Sequence, residues 1–338
     1  MATQKIDLDV LTMQELFGVS DANLRALEEE LGIALITRDG CAEIHGDSEE
    51  QVRTAAETLR TLDRMRQLGE PMNAFAVSRA LQFVRSGDPD AAVAAMKDII
   101  AYTYNGAPIK CRTVGQRRYV KAMQESTVTI AIGPAGTGKT YLAVAAAVSA
   151  LKKKEISKIV MCRPAVEAGE KLGFLPGDLQ TKVDPYLRPL YDALDELLGP
   201  ETVARHMENR VIEIAPLAYM RGRTLKDCCL IADECQNMSL NQHLMILTRL
   251  GEGSKMVLTG DITQIDLPSP ADSGLAECAD ILEGMDGISV IRLSGADVVR
   301  HKLVGEIVKA FEKRKAAAKR PVSGSAQTRA EGKRGRRR

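Results

Sequence analysis

The stretch Thr127-Val128-Thr129-Ile130-Ala131-Ile132-Gly133-Pro134-Ala135-Gly136-Thr137-Gly138-Lys139-Thr140 decides the fold. Its first six residues form a short apolar run, as a strand buried on both faces requires. The next eight match the phosphate-loop pattern G-x-x-x-x-G-K-[ST] in full. Tyr141 to Leu151 follows as an Ala-rich helix. Strand, glycine-rich turn and helix, in that order, are the context that gives the pattern its meaning. Gly133, Gly136 and Gly138, with Pro134, Ala135 and Thr137 between them, let backbone N–H groups curl around an anion. The helix N-terminus adds positive potential. Lys139 is placed to meet β- and γ-phosphates, and Thr140 to ligate Mg²⁺.

Working outward, five further strand candidates alternate with helical patterns: Ile156 to Met161, Val211 to Ile214, Cys229 to Ala232, Met256 to Thr259 and Ile288 to Leu293. That alternation predicts an α/β fold with a mainly parallel sheet covered on both faces. Polar residues follow several strand ends. Asp233 and Glu234 close an apolar run. Asp233 would hold Mg²⁺ through water, and Glu234 would orient and deprotonate an attacking water. In Gly260-Asp261-Ile262-Thr263-Gln264, Gln264 is a candidate γ-phosphate sensor and Asp261 the group that positions it. Arg163, in Cys162-Arg163-Pro164, follows a fourth strand. The ligand crevice of an open α/β sheet lies at the carboxyl ends of its strands, so these four positions converge on one site.

Other polar positions are less specific. Gln116, just before the first core strand, is a candidate for reading an adenine edge by paired hydrogen bonds. Arg249 and Arg300 are each a candidate arginine finger, supplied in cis or by a neighbour, and each is equally a candidate structural ion pair. The histidines lack metal-ligand spacing.

The 338 residues exceed one domain of typical size. Residues 1–70 read as a small α/β unit. Its strand candidates are Ile6 to Val10, Ile33 to Thr37 and Ala42 to His45. Helices are marked by Leu24, Leu27 and Leu31, and by Val52, Ala55, Leu59 and Leu62. Residues 71–112 read as a helical connector ended by Asn105-Gly106-Ala107-Pro108. Residues 113–312 hold the phosphate-loop domain, and 313–338 a disordered tail. The net charge of +1 arises from 46 basic and 45 acidic residues. It hides an asymmetry: Lys313 to Arg338 holds eleven basic residues and one acid, leaving the rest at −9. No apolar run approaches the ~20 residues that span a bilayer, and the opening residues lack a signal-peptide core. Seven scattered cysteines without a Cys-x-x-Cys pair fit reduced thiols in a cytoplasmic compartment.

Longer motifs then agree together. RPAVEAGEKLGFLPGDLQTKVDPYLRPLYD (163–192), GPAGTGKT, PLAYMRGRTL, ADECQN, LTGDITQIDLP and DVVRH closely resemble the PhoH-like ATPases over roughly residues 105–312. Residues 1–70 resemble the KH-like domain of the longer members. The resemblance implies a RecA-like core similar to that of superfamily-one helicases. By it, Gln116 is an adenine reader, and Gln236 and Gln264 are nucleotide sensors. It also implies ATP and Mg²⁺ as cofactors and a role in RNA metabolism. A partner endoribonuclease of ribosomal RNA maturation and a ring-shaped homo-oligomer such as a hexamer are further implications.

Two departures from the family pattern stand out. Cys228, Cys229 and Cys235 surround the acidic pair, and Cys235 beside Glu234 raises an expectation of oxidation sensitivity. The N-terminal unit lacks the Gly-x-x-Gly loop that clamps nucleic acid in KH domains. Two other functions stay open on the sequence: a nucleotide-gated RNA-binding scaffold with little turnover, and a phosphate-loop kinase.

Overall fold

In the computed structural model the chain opens with β1 (Ala2–Asp7), α1 (Val10–Phe17), α2 (Ala22–Leu31), β2 (Ala34–Arg38), β3 (Cys41–Gly46) and α3 (Glu49–Gln67). The structure describes residues 1–8, 10–18, 21–38, 40–70, 72–90, 92–93, 99–164, 179–299 and 307; at 10, 38, 74–75 and 179–186 it describes the backbone alone. The tail 313–338 lies outside the described residues. The three strands form an antiparallel sheet in the order β1-β3-β2. Alternate residues of β3 turn inward, burying Ala42 and Ile44. A capping box starts α3: Ser48 accepts from the Gln51 N–H, and the Gln51 side chain accepts from the Ser48 N–H.

Two local expectations need correction. The first strand lies at Ala2–Asp7, before the expected Ile6 to Val10, and α1 follows directly. Ile6-Asp7-Leu8-Asp9-Val10 mimics strand alternation, yet Leu16 and Phe17 are what the next segment must bury, and a helix places them inward. Residues 71–112 are not helical throughout. α4 (Ala74–Arg85) joins the N-terminal apolar cluster through Val77, Ala80, Leu81 and Phe83, and that cluster extends to Ala92. After it, β4 (Ile99–Tyr102) and β5 (Pro108–Lys110) pair as an antiparallel hairpin. Asn105-Gly106 is its turn, with Gly106 at φ 82°, where glycine carries no Cβ penalty.

The remaining elements build the nucleotide-type core. They are α5 (Val114–Glu125), β6 (Val128–Ile132), α6 (Lys139–Lys152), β7 (Lys158–Arg163), α7 (Leu179–Leu198), α8 (Pro200–Glu208), β8 (Ile212–Pro216), β9 (Cys228–Ala232), α9 (Leu240–Leu247), β10 (Lys255–Gly260), α10 (Leu275–Leu282) and β11 (Ile288–Arg292). All six strand candidates join one sheet in the order β11-β6-β10-β9-β7-β8, and every pairing is parallel.

Residue alternation explains why this sheet is covered twice. Ala131, Ile159, Met161, Cys229, Ile231 and Val257 face one apolar cluster, shared with α5, α6, α7 and α8. Their neighbours Val128, Ile130, Ile132, Val160, Cys162, Leu230 and Leu258 face the other, shared with α9 and α10. With period-two side chains, both halves of each strand must be apolar, hence the continuous runs. Truncating a fully buried residue such as Ile130 would cost about 2–5 kcal/mol. Parallel order brings the carboxyl ends of β6, β7, β9 and β10 to one edge, and β10 lies between β6 and β9.

Candidate nucleotide site

The phosphate loop leaves β6 and ends at Gly138, the N-cap of α6. Gly136 and Gly138 hold φ of 85° and 79°, a region that favours glycine. Gly133 is needed for space: a Cβ there would lie 2.7 Å from Leu293 Cβ. Lys139 is almost buried and donates from Nζ to the carbonyls of Gly133 at 2.6 Å and Pro134 at 3.0 Å. The Thr137 hydroxyl donates to the Pro134 carbonyl. Behind the loop, the buried Tyr119 hydroxyl donates to the Lys139 carbonyl.

The two carboxylates stand beside this loop. Asp233 Oδ1 accepts from the hydroxyls of Thr140 and Thr259, each at 2.6 Å. Asp233 Oδ2 is buried and accepts no hydrogen bond. Arg163 Nη2 lies 3.0 Å from it as an ion pair, without the alignment of a hydrogen bond. The same nitrogen donates to Glu234 Oε1 at 2.7 Å. Glu234 has φ 56°, a left-handed conformation uncommon for a residue with a Cβ. It turns the chain sharply at the strand end and leaves its side chain 40% exposed beside a buried Asp233.

The Asp233 oxygen that accepts no hydrogen bond and the adjacent Thr140 hydroxyl are hard oxygen donors, and they fit Mg²⁺. Among the described residues no three His, Cys, Asp or Glu side chains gather as an all-protein metal cage. A cation here would share its shell with phosphate oxygens and water.

A second arm reaches the loop from β10. Asp261 Oδ2 accepts from the Ala135 N–H at 2.9 Å and also from the Gln264 side chain. Its Oδ1 accepts from the Thr263 N–H and hydroxyl. Burial opposes ionisation, but the Thr263 and Gln264 hydrogen bonds and the Lys139 charge outweigh it, so the Asp261 carboxyl lies below its usual range. Gln236 joins this arm to the catalytic candidate. Its Nε2 donates to Glu234 Oε2 at 2.5 Å and to the Gln264 carbonyl at 3.0 Å, while its Oε1 accepts from the Asp261 N–H.

Residues 133–140, Arg163, Asp233, Glu234, Asp261 and Gln264 thus come together. The Gln264 amide is turned to Asp261, not presented as a free sensor. Gln116 lies against the loop, but its amide is engaged: Oε1 accepts from the Arg112 N–H and Nε2 donates to the Thr137 carbonyl. Arg249 is not at the site within this chain. It precedes β10, at the opposite edge of the sheet, and donates to the carbonyls of Met245 and Arg223. Arg300 lies outside the described residues. The expected reactivity of Cys235 also needs correction. Its thiol is fully buried, donates to the Ala232 carbonyl, and is pushed well above its usual pKa by burial. It carries little thiolate, the form that oxidants attack.

The residue-level reading missed Thr259, Thr113 and Asp297. Threonine in a strand or ahead of a helix is ordinary in a sequence. Asp297 is buried by tertiary contacts with residues more than 180 positions away.

A parallel sheet with a phosphate loop, a Thr–Asp pair and an adjacent Glu at its carboxyl edge defines a phosphate-loop nucleoside triphosphatase. The family described as PhoH-like protein matches residues 108–312. A PhoH-like protein of Bacillus subtilis is 49% identical over 298 residues, covering 88% of this chain and 93% of that one. One from Mycobacterium tuberculosis is 47% identical over 325 residues, covering 95% and 90%. The chain belongs to the PhoH-like family. Among solved structures, the Pif1 helicase from Candida albicans is similar at 15% identity and a TM-score of 0.32, covering 60% of this chain and 43% of that one. Among the described residues no helix is long and apolar enough to cross a membrane.

Proposed function

We propose that this protein hydrolyses ATP with Mg²⁺ and couples the hydrolysis to RNA metabolism. The contact chain Thr140–Asp233–Arg163–Glu234 beside the phosphate loop carries the reading. Thr140 and Asp233 would hold Mg²⁺, which supplies charge neutralisation to the β- and γ-phosphates. Loop N–H groups bind the β-phosphate. Lys139 exchanges the carbonyls of Gly133 and Pro134 for phosphate oxygens and stabilises the charge that develops on transfer. Glu234 orients the attacking water and takes its proton. Gln236 fixes the Glu234 carboxylate and ties it to Asp261, so the water-activating group and the loop respond to the same nucleotide.

Inorganic phosphate without a phosphorylated acceptor is the expected product. Transfer to an acceptor would favour the kinase reading.

RNA is the proposed macromolecular partner. Support comes from the KH-like resemblance of residues 1–70 and the +10 charge of residues 313–338, whose binding would fall steeply with salt. An endoribonuclease of ribosomal RNA maturation, a ring of identical subunits and a cytoplasmic location complete the proposal. Crosslinking RNA to Glu234→Gln in cells and sequencing it tests the RNA part. Enriched ribosomal RNA precursors are expected. Absence of any RNA enrichment would point to protein remodelling instead.

A further inference from the structure

The loop carbonyls, not only its N–H groups, are held. The Gly136 carbonyl accepts from the Val299 N–H at 2.9 Å. The next carbonyl, Thr137, accepts from Gln116 Nε2 at 3.0 Å. A trans peptide points its C=O and the following N–H in opposite directions. Holding these two carbonyls outward therefore turns the N–H groups of Thr137 and Gly138 inward, toward the phosphate cradle.

Both holders meet at one buried carboxylate. Asp297 Oδ1 accepts from the Thr113 hydroxyl at 2.7 Å and the Gly115 N–H at 3.1 Å. The Thr113 hydroxyl in turn accepts from the Gln116 N–H, capping α5 and fixing the base of that side chain. Asp297 Oδ2 accepts from the Ser294 N–H and hydroxyl, closing the short turn that delivers Val299 to Gly136. A Cβ on Gly115 would overlap the Asp297 carboxyl group, so the two segments meet without a gap.

We propose that Asp297 is a positioning residue for the phosphate loop, presetting the Thr137 and Gly138 donors through Gln116 and Val299. It touches neither the nucleotide nor the reacting atoms. The proposal rests on the nucleotide-site reading above. It also gives Gln116 a function the sequence did not suggest, bracing the loop.

The consequence is specific. Donors to the β-phosphate hold substrate and transition state alike, so their loss raises KM with little change in kcat. Asp297→Asn keeps the shape but presents an amide N–H₂ to groups that need an acceptor. ADP affinity by titration calorimetry should fall roughly tenfold or more, as for loss of a charge-assisted hydrogen-bond node. KM for ATP should rise in parallel, while kcat stays within about threefold. Thr113→Val should reproduce the KM effect and Thr113→Ser should restore it, which keeps the test open if Asp297→Asn fails to fold. Asp297→Asn combined with Gln116→Ala should be no weaker than the worse single variant, because both act on one relay. Folded Asp297→Asn with wild-type KM and ADP affinity would overturn the proposal, as would strictly additive effects. Failure of the wild-type chain to bind ADP would instead overturn the nucleotide-site reading, a result read before any variant is made.

Discussion

Replacing Arg163 with Gln removes the positive charge that lies 3.0 Å from Asp233 Oδ2 and 2.7 Å from Glu234 Oε1. The side chains are 15%, 5% and 40% exposed, respectively, so the two halves differ. Breaking a buried pair by deleting one partner costs about 3–5 kcal/mol, because the other charge stays buried. Breaking an exposed pair costs about 0–1 kcal/mol. Arg163 and Asp233 fall nearer the first case and Glu234 nearer the second, giving a net loss of about 2–4 kcal/mol. For a domain of this size that lowers the apparent melting temperature by about 5–10 °C. The assay is thermal unfolding of wild type and Arg163→Gln, first with a chelator and then with Mg²⁺ and ADP. If Asp233 Oδ2 is the oxygen a cation faces, the metal takes over the role of Arg163, and the gap between the proteins should shrink by more than half. An equal gap in both conditions would refute this account of the Asp233 oxygen, and so would no gap in either.

Two further expectations concern pH. The bidentate hydrogen bonds from Arg223, assisted by Lys158 and opposed by burial, hold the Glu213 pKa down at about 2. Glu213 therefore contributes stability that is present above about pH 4.5 and lost as pH falls through about 2. Allowing for partial exposure, that is about 1–2 kcal/mol; Glu213→Gln should lack this loss in acid denaturation. Burial lowers the pKa of His243 against the opposing pull of the Ser239 carbonyl, and its Nε2 is buried without a hydrogen bond. The ring takes a proton less readily in the folded protein than in the unfolded chain, so stability should decline as pH drops below about 6.5, where the unfolded chain takes the proton. His243→Leu should flatten the urea-unfolding midpoint between about pH 7.5 and 5.5; an unchanged slope would argue against the assignment.

The sequence made the core legible because one physical rule acts there alone. A strand buried on both faces must be apolar throughout, and a phosphate cradle must be rich in glycine. Hence β6, β9 and β10, with Asp233, Glu234 and Asp261 at their ends, stand where their motifs put them. Competing local signals hid other elements. Ile6 to Val10 alternates like a strand yet ends in a helix start. Asn105-Gly106 punctuates a chain in the same way whether it ends a helix or turns a hairpin. Arg249 shows what periodicity cannot give: an arginine beside a strand is equally readable at either end of the sheet, and here it lies at the edge away from the loop. Asp297 showed only a short-range turn pairing with Ser294; its other partners, Thr113 and Gly115, are distant in the chain.

In the proposed mechanism Glu234 activates water while the loop, Lys139 and Asp233 hold the nucleotide. Glu234→Gln keeps the size and hydrogen-bonding reach of the side chain but cannot take a proton. ATP affinity and phosphate release should be measured together on this variant and on Lys139→Ala. Glu234→Gln should bind ATP as tightly as wild type while phosphate release falls by a factor of about 100 or more, and Lys139→Ala should abolish turnover. Wild-type phosphate release from Glu234→Gln would mean that Glu234 is not the group that activates water.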